Sequence, residues 1–288
     1  MKNQKFVLAL CCIVTMFLAG CGSSSTSSSG GVSGVFADAP VVGLSYSCGN
    51  TTAVTGSGGA FTCPKNSAVT FTVGGVTICT QPIQAFITPV SCAQANGNPS
   101  ANASTPSVVA TAQFVISIGT PTGTAPGSLS TLTITSAELQ AASGLSLDFS
   151  TATQAQLQTA VTTVNPGQTL ASPTTAEDEL TGVVVANEAG SYSGSWTGSG
   201  NSGTWTATVD ANGNISGSLT LPYGGTGTIS GALAYGTTFD GACGGSDWTG
   251  TWVGNVNTSE GPTTGTGPYL FSGTWTDTTN GTSGTFTN

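Results

Sequence analysis

The sequence predicts a mainly β protein: a small antiparallel β-sandwich, a short four-helix segment, then a Gly/Trp-rich antiparallel β-meander or barrel. Three observations predict it. Residues 32–103 hold short apolar runs, some alternating with period two, between Gly- and Pro-bearing turns. Residues 104–189 change to helical spacing with cap signals. Residues 190–288 repeat a unit in which Gly precedes a large apolar residue by two positions.

Composition bounds what such a chain can do. Its 288 residues are enough for two or three small domains. Only 5% are charged, against about 25% in an average domain. Five Trp, eleven Phe and 38% hydrophobic residues can build cores, so the surface must be Ser, Thr, Asn, Gln and Gly. The basic residues are Lys2, Lys5 and Lys65, and there is no Arg or His. Nucleic-acid binding needs Lys and Arg to displace counterions and is excluded, as is charge attraction to anionic lipid. Without His there is no imidazole base and no His-ligated metal. A carboxylate pair or a Ser-Lys pair using Lys65 survives, but the twelve acids are too scattered to nominate a pair. The expectation is no catalysis, no cofactor and no metal.

The chain opens with Lys2 and Lys5 before an apolar run from Phe6 to Leu18. That run is too short for a permanent membrane helix and has the flanks of a cleaved export signal. Leu18-Ala19-Gly20-Cys21 resembles a bacterial lipoprotein signal. The resemblance implies removal of residues 1–20 and acylation of Cys21, hence membrane attachment through lipid. The alternative is an ordinary secretory signal that happens to contain a Cys. Residues 21–31 are a Ser/Gly tether, whose flexible run spans roughly 17 Å r.m.s.. Gly22 is not the Asp that retains such lipoproteins in the inner membrane, so the resemblance implies the cell outer membrane.

In 32–103 the expected strands are Val41–Tyr46, Ala60–Thr62, Val69–Val73 and Val76–Ile78, with Gly74-Gly75 as a hairpin turn. In 104–189 Thr105 precedes Pro106, Thr135 and Glu138 have capping-box spacing, Leu157, Ala160, Val161 and Val164 form a stripe, and Thr174 with Glu177 opens a fourth helix. Glu177, Asp178 and Glu179 read as helix-start electrostatics rather than a metal site.

Val32-Ser33-Gly34-Val35, Asp38-Ala39-Pro40-Val41-Val42-Gly43-Leu44-Ser45-Tyr46, Gly59-Ala60-Phe61, Val69–Gly75, Ile87-Thr88-Pro89-Val90 and Ala176-Glu177-Asp178-Glu179-Leu180 carry a resemblance. They are similar to the N-terminal region of a group of proteobacterial exported lipoproteins and surface proteins. The first module of that group looks like a transthyretin-like, carboxypeptidase-regulatory-like β-sandwich. The resemblance covers about residues 32–186, brings no enzymatic residues, and implies a surface or adhesin-like role.

In 190–288 the repeat [Ser/Thr]-Gly-x-apolar starts at Ser193, Ser202, Ser216, Ser230, Thr249, Ser272 and Ser283. Its apolar members are Trp196, Trp205, Leu219, Leu233, Trp252, Trp275 and Phe286. Strand alternation puts each Gly on the face of the large residue. About eight such strands suggest an up-and-down barrel.

Of the remaining cysteines, Cys48, Cys63, Cys79, Cys92 and Cys243, an exported chain should pair four. The expected bonds are Cys48–Cys63, across a Gly-rich turn, and Cys79–Cys92, around residues 80–91; Cys243 is left over. Asp210-x-Asn212-x-Asn214 has the look of a calcium loop, but Leu221 stands where an EF-hand needs Glu, so an Asx-rich turn is expected. Tyr192, Tyr223, Tyr235, Tyr269 and the Trp residues could stack on sugars, but Trp on the Gly face reads as core. Asp240 and Asp247 flank Cys243 in what reads as a Gly-rich loop, either a solvated loop or the barrel mouth. Tyr223, Asp240 and Asp247 are the candidate ligand-facing residues. Two function classes stand: a lipid-anchored structural, adhesive or binding protein with a glycan or protein ligand, and a carbohydrate-binding module or carboxylate enzyme on polysaccharide.

Overall fold

The computed structural model describes residues 31–122 and 131–288; Cys21 and the whole leader lie outside them. The chain forms two compact units, one of residues up to Pro89 with Val109–Glu179, the other of Val90–Val108 with Leu180–Asn288.

The first unit is built on two packed sheets. One has strand order β4 (Thr51–Val54), β3 (Ser45–Cys48), β6 (Ala68–Val73), β7 (Val76–Pro82). The other has order β5 (Ala60–Pro64), β1 (Gly31–Phe36), β8 (Phe86–Ile87), with β8 parallel to β1. Period two decides the inner face: Val69, Phe71 and Val73 of β6 are buried, as are Tyr46, Cys48, Phe61 and Cys63. Phe71 contacts Phe36 of the opposite sheet at 4.7 Å and Phe61 edge-on at 5.1 Å between ring centroids. The Cys48–Cys63 disulfide ties β3 to β5 across this core, as expected. Cys79 and Cys92 are also disulfide-bonded, and Cys243 is a buried free thiol. Gly74, with φ +56°, makes the two-residue β6–β7 turn, where a left-handed residue is required.

Short strands β2 (Val41–Val42), β9 (Thr120–Thr122) and β10 (Thr131–Thr133) make a small third sheet. The helices are α1 (Pro89–Ala95), α2 (Pro106–Ile118), α3 (Ser136–Ala141), α4 (Gln154–Val164) and α5 (Pro173–Glu188). Helix α1 was not anticipated. Helix α3 has the expected Thr135/Glu138 capping box, and α4 has one on Thr153 and Gln156 that the spacing argument missed. The stripe Leu157, Ala160, Val161, Val164 is buried. The last helix starts one residue before Thr174: the Ser172 hydroxyl accepts from Thr175 N at 3.0 Å and Pro173 takes the first position.

The second unit is a closed antiparallel barrel. Its strands run in sequence order: β11 (Gly190–Gly198), β12 (Asn201–Val209), β13 (Asn214–Thr220), β14 (Thr226–Ala234), β15 (Thr238–Gly244), β16 (Thr249–Asn257), β17 (Leu270–Asp277), β18 (Thr282–Thr287). Pairing of Trp196 with Phe286 closes β11 onto β18. Inside, Phe239 stacks on Phe271 at 4.4 Å, with Trp205, Trp252 and Phe286 around them. Outside, Thr and Ser hydroxyls pair across strands, as in Thr206–Ser218 at 3.3 Å. One end is capped by chain from the same unit. The Gln94 amide donates to Val256 O and its carbonyl accepts from Thr258 N, while the Asn288 side chain binds Thr266 O, Tyr269 O and Phe271 N.

Two acids are buried without a hydrogen-bond partner among the described residues: Asp38 in the first unit and Glu188 in the second. Burial pushes both carboxyls well above their usual range, and Glu179 adds to the shift at Asp38. Such a group keeps its proton in the folded state where the unfolded chain has lost it. Stability from it falls as pH rises from the ordinary carboxyl range toward the raised values. The carboxyls of Asp148, Asp210 and Asp277 lie below their usual values and act in the opposite sense, so the readout is a difference between proteins. We expect the Tm of Asp38→Asn, minus that of the unaltered protein, to increase from about pH 4 to about pH 8. Glu188→Gln should behave alike. A difference independent of pH would contradict the buried, protonated carboxyl.

Candidate functional site: a tryptophan-lined cup at one barrel mouth

The interior of the barrel is organised by Gly facing Trp. In the β12, β15 and β18 strands, Gly203, Gly241 and Gly284 stand beside Trp196, Trp252 and Trp275 of the neighbouring strand. The indole crosses the glycine and donates to a carbonyl on the strand beyond. Trp196 Nε1 reaches Thr220 O at 3.0 Å, Trp252 Nε1 reaches Ser230 O at 2.9 Å, and Trp275 Nε1 reaches Thr197 O at 3.2 Å. Trp205, paired with Gly194, divides its donation between Ser195 O of the adjacent strand at 3.2 Å and Thr287 O of β18, the strand beyond, at 3.3 Å. A Cβ at Gly241 would lie 2.4 Å from Trp252 Nε1 and 2.0 Å from Ser230 O, so no larger residue fits there.

The four β-hairpins at the end opposite the cap leave a cavity of about 430 Å³, lined by all five Trp. Trp205, Trp252, Ile229 and Phe286 line its buried part, and Trp196, Trp275, Trp248, Leu219 and Cys243 add further walls. Tyr223, Asp247 and Asn280 stand at an exposed rim; Tyr223 is 95% exposed. Asp277, two residues beyond Trp275, faces inward by the same alternation and is also part of the lining. Its carboxylate accepts from Thr279 N at 2.8 Å, Asn280 N at 3.0 Å and Asn280 Nδ2 at 2.8 Å. Burial pushes this carboxyl up, but those bonds outweigh it and hold the group below its usual value. Burial, with Asp277 adding, pushes the Cys243 thiol up to about 11. That makes it a poor nucleophile at neutral pH.

Of the three candidate ligand-facing residues, Tyr223 and Asp247 line the cup and Asp240 does not. Asp240 lies in strand β15 rather than a loop, next to inward Phe239, so alternation turns it to the exposed outer face. Sequence reasoning missed Asp277, and Trp248 entered only among the Trp residues able to stack on sugars. Asp277 was findable, because its parity with Trp275 puts both on one face.

Other candidates resolve simply. Asp210 Oδ1 accepts from Asn212 N and Asn214 N, and Oδ2 from Asn214 Nδ2, which is an Asx-rich turn. Lys65 is exposed in a turn, while the nearby Ser67 hydroxyl donates to Pro64 O at 2.7 Å. Among the described residues, no three His, Cys, Asp or Glu cluster to hold a metal ion, and no helix is long and apolar enough to cross a membrane.

The burial pattern grades the tryptophans. Trp205 and Trp252 are 3% and 4% exposed, whereas Trp275 is only partly buried, so the expectation of four equivalent core rings is revised for it. Trp205→Ala and Trp252→Ala should each lower stability by about 3–5 kcal/mol. Trp275→Ala should cost clearly less, read by urea unfolding of each variant. Equal and small costs for all three would contradict the interior placement.

No protein-family model matches this chain, and no characterised protein matches it significantly.

Proposed function

We propose that this is a lipid-anchored binding protein of the cell envelope, without catalysis, whose C-terminal barrel holds a small, mainly apolar ligand in the tryptophan cup. The carrying observation is the cup itself: an aromatic cavity of about 430 Å³, open at one mouth of a barrel whose other end is capped. That volume falls within the roughly 300–1,000 Å³ of small-molecule sites. Rigid strands hold the rings, and the indole N–H bonds fix their orientation before any ligand arrives, which lowers the ordering cost of binding. The Thr- and Ser-rich outer face suits water rather than lipid tails, since membrane barrels present an apolar band. The lipid signal at Cys21 supports the membrane attachment, at the outer membrane on its periplasmic face or the cell surface.

Chemistry in the cup favours binding over turnover. A general acid needs a raised carboxyl pKa, whereas Asp277 is lowered; the Cys243 thiol is raised away from thiolate. The coupled acids Asp38 and Glu179 cannot serve a polymer, because Asp38 is wholly buried. The glycan-binding reading has one feature in its favour, the exposed Tyr223 at the rim. Against it, four of the five indole N–H groups already serve the barrel wall.

Two measurements test this. Cys21→Ala should abolish palmitate labelling and release the protein from membranes; unchanged labelling would remove the anchor from the account. An apolar dye such as N-phenylnaphthylamine should bind and quench the tryptophans, with Trp275→Ala weakening it up to about tenfold. A glycan array giving strong, Tyr223-dependent binding while the dye fails to bind would favour the carbohydrate reading instead.

A further inference from the structure

We infer that the cup selects a cation with an apolar body, such as an aryl- or alkyl-ammonium compound, over neutral or anionic molecules of the same shape. The inference rests on the cup being a ligand site.

Three features of the lining point the same way. First, its charges are all negative: Asp247 at the rim and Asp277 just inside, with no basic residue among the lining. Lys65 is the only basic residue among the described ones; it belongs to the first unit and is not in the lining. An anion would meet carboxylates and no counter-charge, which is costly in a partly desolvated site.

Second, the tryptophans have little polar left to offer. Trp196, Trp205, Trp252 and Trp275 donate their N–H groups to strand carbonyls. What these four leave toward the cavity is ring surface, whose quadrupole attracts a cation and whose area suits an apolar group; Trp248 Nε1, buried without a partner among the described residues, is the one indole donor left over. A neutral polyhydroxylated ligand would find no donor in those four indoles and would have to draw its hydrogen bonds from polar lining residues such as Ser199, Asn201, Asn280 and Thr282.

Third, the Asp277 carboxylate is preset. Three donors from the Thr279–Asn280 turn hold it in place and favour its ionised form. A cation seated between it and the aromatic walls gains a charge partner that needs no reorganisation. The apolar body would lie deeper, against Leu219, Ile229 and Phe286.

The test uses the full chain in non-ionic detergent and three benzyl probes: benzyltrimethylammonium, its uncharged carbon isostere neopentylbenzene, and the anion phenylmethanesulfonate. Binding is read by tryptophan fluorescence. We expect the cation to bind about tenfold or more tighter than the isostere, with the sulfonate weaker than both. Asp277→Asn should bring the cation down toward the isostere and leave the isostere unchanged. Because Asp277 also anchors a hairpin, Asp247→Asn at the exposed rim is the second variant. It should weaken the cation severalfold without a change in Tm. Isostere and cation binding equally, with neither variant discriminating, would overturn charge selection and leave the cup as an apolar site. Failure of all three probes and of the apolar dye would instead remove the cup reading itself.

Discussion

The second unit depends on one contact repeated around its wall: an indole that crosses a glycine and donates to the carbonyl of the strand beyond. Trp252 over Gly241 to Ser230 O is the tightest case, at 2.9 Å. The glycine is needed because the bond passes through the space a Cβ would occupy. The bond in turn solves the problem of a large aromatic in a narrow barrel, since a buried indole N–H without a partner is expensive. Trp196, Trp205 and Trp275 repeat the solution. The stacked pair Phe239 and Phe271, with Phe286 tilted against both, can then fill the centre. The cup is what is left at the mouth, where Trp196 and Trp275 meet edge-to-face at 5.5 Å.

This makes clear which parts were legible in the sequence. The [Ser/Thr]-Gly-x-apolar unit encodes both the strand period and the interlock, so seven of the eight barrel strands could be placed from it. The eighth is written as Asp240-Gly241-Ala242-Cys243, with Asp in the hydroxyl slot and Cys in the apolar slot. Seen so, Asp240 belongs outside and Cys243 inside; only the loop reading makes Asp240 a ligand-facing candidate. The sandwich was legible through alternation in Val69–Val73 and the Gly74-Gly75 turn, and its disulfide through the Gly-rich link between two short strands. Helix α1 was not, because a single short helix after Pro89 has too few residues to show a period. The cup was not legible either. It depends on which side chains four hairpins bring together around one mouth, a tertiary property that no local pattern records.

Scarcity of charge shapes both the stability and the chemistry of this protein. With one lysine among the described residues, acids cannot be neutralised by ion pairing, and they follow two other routes. Asp148, Asp210 and Asp277 recruit backbone and side-chain donors in tight turns and stay ionised. Asp38 and Glu188 are buried without such donors and favour the protonated form. The exposed face of the barrel is mainly hydroxyls, and Asp247 and Asp277 are the charged residues in the lining of the cup.

Hydrogen exchange of the indole N–H protons, followed by nuclear magnetic resonance, tests the Gly–Trp interlock most directly. The account predicts that the indole protons of Trp205 and Trp252 exchange only when the barrel opens, at rates matching the protected backbone amides of β12 and β16. Exchange of those two protons at the rate of a free indole, while the backbone amides stay protected, would contradict it.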